Sequence, residues 1–187
     1  MIKRIFDIVL AVILIILLGI PMLAIALFIK IVSKGPAIFW TDRIGRDNTI
    51  FKMAKFRTMR VDTPQVATHL MKTPEQYLIP GAGFLRKYSL DEFPQLFNVL
   101  KGDMSFVGPR PALFNQDDLV ALRTGKNIHK LTPGVTGWAQ VNGRDDLPIP
   151  VKVSFDEYYL KHRSFVLDLY ILILTAVKVI KKEGVRH

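Results

Sequence analysis

Cysteine is absent from this chain. No disulfide framework can form, and no thiolate is available to a metal. The four histidines, at positions 69, 129, 162 and 187, are scattered, so a zinc cluster has no basis in the sequence. Acidic residues are outnumbered: 16 Asp and Glu face 26 Lys and Arg, for a formal net charge of +10. Aromatic residues make up 10% of the chain, and few of them interleave with the basic residues. With no recognisable nucleic-acid motif either, a DNA- or RNA-binding role loses its usual footprint. Charge is missing altogether from Ile8 to Ile29. No internal repeat, low-complexity tract or second domain is visible.

What remains is enough for one compact domain. The chain has 187 residues, 50% of them hydrophobic, and a mean hydropathy of +0.25. Much of that apolar excess lies at the N-terminus. The positive balance favours anionic partners: phospholipid, nucleic acid or a phosphorylated small molecule. The plain alternative is a basic surface with no specific ligand.

The uncharged run from Ile8 to Ile29 is long enough to cross a bilayer as a helix. Three readings compete. Lys3 and Arg4 followed by Ala24-Ile25-Ala26 imitate a cleaved signal peptide, but the apolar run continues past that point. A plain spanning helix tolerates Gly19 and Pro21. A re-entrant hairpin bending at Pro21 places both basic flanks, Lys3-Arg4 and Lys30-Lys34, on one face of the membrane. Proline supports a bend because it lacks an amide donor and clashes with the preceding turn.

Downstream, Ala37 to Trp40 is β-prone, and Asp42 to Asn48 reads as a polar turn. Ile50 to Met59 reads as a strand bearing Lys52, Lys55 and Arg57. Residues 60–82 read as a loop-rich excursion. Phe93, Leu96, Phe97 and Leu100 fall on one helical stripe that stops at Lys101-Gly102. A short helix is expected around Leu119 to Leu122. Pro133 to Gly137 reads as a turn, and Asn142-Gly143 carries a turn signal. Phe155 to Lys161 reads as helical. Leu169 to Val177 is apolar, too short to span, and followed by lysines; an interfacial helix and a core helix fit it equally.

The acidic pair Asp91-Glu92 stands out. Ser89 and Glu92 have capping-box spacing, and Asp91 is placed to cap a helix that begins near Pro94. The same position suits chemistry, because a helix start favours negative charge and attracts phosphate. An ionised carboxylate there can attack phosphorus or hold a hard cation such as Mg²⁺, which prefers oxygen ligands shared with substrate phosphates. Pro109-Arg110-Pro111 holds one guanidinium in a stiff segment, suited to bidentate phosphate contact. Lys55, Arg86 and Arg144 are further candidate cations. Taken alone, Arg110 reads first as an exposed residue in a weak ion pair, and Lys55, Arg86 and Arg144 carry the same two readings, none of them specific by itself.

The run Ser89-Leu90-Asp91-Glu92-Phe93-Pro94-Gln95 with Gly108-Pro109-Arg110-Pro111 resembles the monotopic bacterial sugar transferases, the polyprenyl-phosphate phosphoglycosyl transferases of small single-domain type. Lys55-Phe56-Arg57-Thr58-Met59 and the downstream Gly137-Trp138-Ala139-Gln140-Val141-Asn142-Gly143-Arg144 extend the likeness over nearly the whole chain. Ile20 departs from it, since family members commonly carry a Ser before the bend proline, whose hydroxyl can satisfy a freed carbonyl.

The resemblance implies a helix-rich α+β catalytic domain over residues 35–187. It also implies a re-entrant helix-hairpin anchor over 1–34, with Pro21 at the bend, and amphipathic helices in the membrane interface. The implied reaction moves a sugar-1-phosphate from a UDP-sugar to polyprenyl (undecaprenyl) phosphate and releases UMP. Asp91 is then the nucleophile that forms an aspartyl-phosphosugar intermediate. Glu92 assists, and both carboxylates contact Mg²⁺. Lys55, Arg86, Arg110, Gln140 and Arg144 bind substrate. Asp168 matches a family acid whose role the resemblance does not assign. The implied setting is the bacterial inner membrane, with the catalytic domain facing the cytosol. The expected partners are the UDP-sugar, polyprenyl phosphate and membrane phospholipid, with no nucleic acid. The rival from another class is a non-catalytic membrane-anchored adaptor that binds nucleotide sugar or anionic lipid.

Overall fold

The uncharged N-terminal run forms one helix, α1 (Ile2–Val32), in the computed structural model of the chain, whose described residues are 2–63, 74–143 and 147–181. It has 31 residues, with Pro21 inside it. At 1.5 Å per residue that is roughly 46 Å, against a hydrocarbon core of about 30 Å. Helical structure continues through Pro21 without a break into two elements. One face, carrying Ala11, Leu18, Met22, Ile25 and Ile29 at helical spacing, packs on the rest of the protein. The opposite face, carrying Val12, Ile16, Ile20, Leu23 and Leu27, is exposed and apolar.

Both ends of α1 are held by polar contacts. Arg4 donates to the main-chain carbonyls of Val99 (2.5 Å) and Leu100 (2.7 Å). Asp7 is buried and accepts the main-chain N–H of Phe106 at 3.1 Å. Lys3 reaches the Asp168 carboxylate at 2.6 Å. At the other end Arg57 donates to the Ser33 carbonyl and hydroxyl, both at 3.1 Å, and to the Pro36 carbonyl at 2.7 Å.

Next come β1 (Ile38–Ile44) and β2 (Ile50–Phe56), an antiparallel hairpin registered from Ile38 opposite Phe56 to Ile44 opposite Ile50. Strand β1 extends past the expected turn start because Asp42 pairs across the hairpin with Lys52 at 2.8 Å. The reversal falls instead at Arg46–Asn48, where Asp47 and Asn48 take φ of 56° and 58°. Short polar side chains tolerate that left-handed conformation. Strand β4 (Ala112–Leu113) adds to the other edge of β1.

A second, parallel pair joins β3 (Ser105–Val107) to β5 (Gly134–Thr136). The expected turn at Pro133 to Gly137 is thus a strand in large part. A Cβ on Gly134 would stand 2.1 Å from the Gly108 nitrogen, and one on Gly137 would stand 2.1 Å from the Gly108 carbonyl oxygen. These glycines serve close main-chain approach rather than reversal, which is why turn propensity misleads here.

Helices α2 (Ala82–Lys87), α3 (Gln95–Lys101), α4 (Asp117–Gly125), α5 (Trp138–Val141), α6 (Ile149–His162) and α7 (Phe165–Lys181) complete the described elements. The stripe expected on α3 is only half right. Leu96 and Val99 are buried, but Phe97 points outward, 51% exposed, and the inward positions include the polar Gln95 and Asn98. Helix α7 has one side in the core, as the core-helix reading expects. Ile171 is fully buried, while Val166, Tyr170 and Ile173 form an exposed apolar face.

Two apolar clusters result. The larger joins Met53, Val99, Met104, Phe106, Ile128, Val153 and Ile171. The smaller gathers Phe56, Ile79, Ala82 and Leu85 around Ile29 of α1.

Candidate active site

The acidic pair sits between two short helices. Helix α2 ends at Lys87, and Ser89 takes a left-handed φ of 53° that turns the chain into a single 3₁₀ turn, Leu90–Glu92. Pro94 then stands at the N-cap of α3, where its missing amide costs nothing. Neither Ser89 nor Pro94 makes a side-chain cap bond. The capping-box reading therefore fails, and so does Asp91 as helix cap, because α3 begins four residues later.

The two carboxylates differ. Glu92 Oε1 accepts from Lys55 Nζ at 2.7 Å and from Arg110 Nη2 at 3.5 Å. Asp91 is only 8% exposed. Its carboxylate takes a hydrogen bond from its own main-chain amide and from no side chain among the described residues. Burial pushes its pKa above the ordinary carboxylate value; Lys55 and Arg86 pull down, while the Glu92 charge pushes up. Arg86 is itself lowered by burial and supported by the Asp91 charge. Its Nε donates to Thr58 Oγ1 at 3.0 Å, which fixes the guanidinium beside the pair.

Lys55 reaches the site because β2 is docked on α3. Asn98, buried in α3, accepts the Ala54 N–H through Oδ1 at 3.0 Å and donates through Nδ2 to the Lys52 carbonyl at 2.7 Å. One side-chain amide thus binds the strand as a neighbouring strand would. Nothing in the sequence pattern marks this role, apart from a polar residue on the inward side of an otherwise apolar helix.

Arg110 comes from the loop after β3. Its neighbours Pro109 and Pro111 have no N–H, so the loop is held through carbonyls. Pro109 O accepts from Gly134 N at 2.9 Å, Arg110 O from Arg123 Nη1 at 2.8 Å and Pro111 O from Arg43 Nη1 at 3.4 Å. Arg123 of α4 in turn pairs with Asp156 of α6 at 2.6 Å, and both are buried. Burial raises the Asp156 pKa against the pull of Arg123. Sequence reasoning passed over Asn98, Arg123, Asp156 and Asp7.

The structure therefore brings together Asp91, Glu92, Lys55, Arg86 and Arg110. Gln140 lies in α5 with its side chain against Gly137, and both of its amide atoms are buried without a partner among the described residues. Arg144 lies outside the described residues. Asp168 receives Lys3 on one oxygen and the Tyr159 hydroxyl on the other, each at 2.6 Å. Its contacts fasten α1 to α7.

No cluster of three or more His, Asp or Glu residues that could hold a metal occurs among the described residues. Mg²⁺ fits, since it is usually held by one or two carboxylates plus substrate phosphates and water, and Asp91 and Glu92 supply two adjacent ones.

The sequence profile described as bacterial sugar transferase matches residues 1–182. The chain belongs to the bacterial sugar transferase family. The chain is 38% identical to the protein named uncharacterized sugar transferase EpsL of Bacillus subtilis, over 99% of the chain and 90% of that protein. It is 40% identical to a UDP-glucose:undecaprenyl-phosphate glucose-1-phosphate transferase of Escherichia coli, over 95% of the chain but 40% of that protein. It is 37% identical to a UDP-N-acetylgalactosamine-undecaprenyl-phosphate N-acetylgalactosaminephosphotransferase of Aeromonas hydrophila, over 99% of the chain and 45% of that protein. The chain thus spans nearly all of the first relative and less than half of the other two.

Proposed function

We propose that the protein transfers a sugar-1-phosphate from a UDP-sugar to polyprenyl phosphate and releases UMP. The observation that carries this reading is the asymmetry of the acidic pair. Glu92 is engaged by two cations, while Asp91 lies beside them with no side-chain hydrogen bond among the described residues. A carboxylate destabilised by burial, with Lys55 and Arg86 beside it, is poised to attack an anionic centre once the cations have drawn the phosphates in.

In the first step an Asp91 oxygen bonds to the β-phosphorus and the bond from that phosphorus to the bridging oxygen breaks. The electron pair leaves on UMP. In the second step a phosphate oxygen of polyprenyl phosphate attacks the same phosphorus. The aspartyl–phosphorus bond breaks, a diphosphate sugar forms and the carboxylate is restored. Lys55, Arg86 and Arg110 hold and neutralise the phosphate oxygens. Asp91 and Glu92 would hold Mg²⁺, which supplies charge neutralisation on the diphosphate.

The membrane reading rests on α1. Its length and composition suffice to cross a membrane. Its two ends are fastened to elements that pack on each other, α3 and β2, through Arg4 and Arg57 respectively. A domain that grips both ends favours entry and exit at one membrane face, with the helix weakened at Pro21, the catalytic domain in the cytosol and the exposed apolar face of α7 against lipid. The Phe6 and Phe165 rings, 5.2 Å apart, join the two apolar surfaces. The chain has no cysteine, so single cysteines at Ile2 and Lys34 test this directly. Both should react with a membrane-impermeant maleimide from the same side; reaction from opposite sides rules out re-entry.

The activity test uses the protein in nanodiscs with undecaprenyl phosphate, Mg²⁺ and a panel of UDP-glucose, UDP-galactose and UDP-N-acetylgalactosamine. UMP release with one donor, lost in Asp91→Asn, supports the reading. Tight binding of a donor with no UMP release would instead support the adaptor.

A further inference from the structure

We propose that Arg123 and Asp156 are positioning residues for the reaction, acting through the main chain of Arg110. The inference rests on the reading of Arg110 as a phosphate ligand. Arg123 directs Nε and Nη2 to the same Asp156 oxygen, at 3.0 Å and 2.6 Å, and Nη1 to the Arg110 carbonyl at 2.8 Å. A guanidinium is planar and rigid, so fixing one edge on Asp156 fixes where the other edge points. The two side chains are 9% and 2% exposed, so neither is free to meet substrate.

The loop makes this support necessary. Pro109 and Pro111 cannot donate hydrogen bonds, and the residue before a proline is confined to extended conformations. The peptide plane after Arg110 is therefore oriented through its carbonyl, which accepts from Arg123. On the other side, the Arg110 side chain contacts Glu92. Helices α4 and α6 thus reach the acidic pair through one peptide group. The third bond of the guanidinium ends on the main chain of a residue in the site.

The test compares Arg110→Ala, the paired replacement Arg123→Met/Asp156→Leu and all three changes together. The apolar pair fills the space without leaving a buried charge, a kind of exchange that commonly preserves the fold. Thermal melts establish folding, and kcat and KM for the UDP-sugar are measured in nanodiscs. The expected result is a drop in kcat/KM of roughly 10-fold or more for the pair, split between kcat and KM as in Arg110→Ala. The triple variant should be no worse than Arg110→Ala alone, because residues acting through one group are non-additive.

Arg123→Lys is the second variant, in case the pair does not fold. It keeps the charge beside Asp156 but lacks the fork that also reaches the Arg110 carbonyl, and it should show the same split. Wild-type kinetics in a folded pair or in Arg123→Lys, or losses that multiply with that of Arg110→Ala, would overturn the proposal. If Arg110→Ala itself turns over normally, the reading of Arg110 is what fails, and the positioning role falls with it.

Discussion

The root of α1 and the acidic pair are both dense in charge, yet they are built on opposite terms. At the root, the charges end on partners. Asp7 takes a main-chain N–H, Arg4 two carbonyls, and Asp168 both Lys3 and Tyr159. At the pair, Glu92 is served in the same way, but Asp91 is buried with its pKa pushed up. Satisfied buried charges hold elements together. A buried carboxylate left short of donors costs stability, and sites of chemistry are where such a cost persists.

The largest expected effect comes from removing that imbalance. Asp91→Asn should lower turnover by roughly 10³-fold or more and, at neutral pH, raise the melting temperature. The sign follows from the raised pKa. The folded state binds the Asp91 proton more tightly than the unfolded chain, so stability falls as pH rises from the ordinary carboxylate value to the folded one and stays lower above it. An amide escapes that loss. A lower melting temperature for Asp91→Asn would place the acid with the satisfied charges of the root.

Next in size, Lys55→Ala and Arg110→Ala should each cost about 10- to 100-fold in kcat/KM for the UDP-sugar, from lost stabilisation of phosphate charge. Steady-state kinetics at fixed acceptor would show it. The pH profile sharpens the same contrast. With Asp91 as the proposed nucleophile, the acid limb of kcat/KM should lie above the free carboxylate value of about 3.9. A limb at or below that value would contradict the burial argument.

The smallest catalytic effect belongs to the root. Asp168→Asn should lower stability by about 1–2 kcal/mol, discounted because Lys3 is partly exposed. It should leave kcat within about twofold for protein that remains folded. Thermal melts and kinetics on one preparation separate the two. A catalytic loss without a stability loss would move Asp168 into the site.

Much of this contrast was legible in the chain itself. The uncharged run, the Asp91-Glu92 pair and Pro109-Arg110-Pro111 are local signals that tertiary packing did not erase. What packing added was not local. Lys3 and Arg4 read as membrane-topology charges, but they also bond Asp168 and the end of α3, contacts spanning more than ninety positions. Asn98 and Arg123 look like ordinary helix residues until β2 and the proline loop are placed against them. The turn expected at Gly134 became a strand because that glycine answers to Gly108, 26 positions earlier.

The measurement that tests the central claim most directly is the intact mass of the protein after mixing with its UDP-sugar and Mg²⁺ in the absence of polyprenyl phosphate. The account predicts a burst of UMP no larger than one per protein and a mass gain equal to the sugar-1-phosphate, located on the peptide containing Asp91 and absent in Asp91→Asn. UMP formed only when both substrates are present, with no mass gain at any time, would show direct transfer and remove Asp91 as the nucleophile.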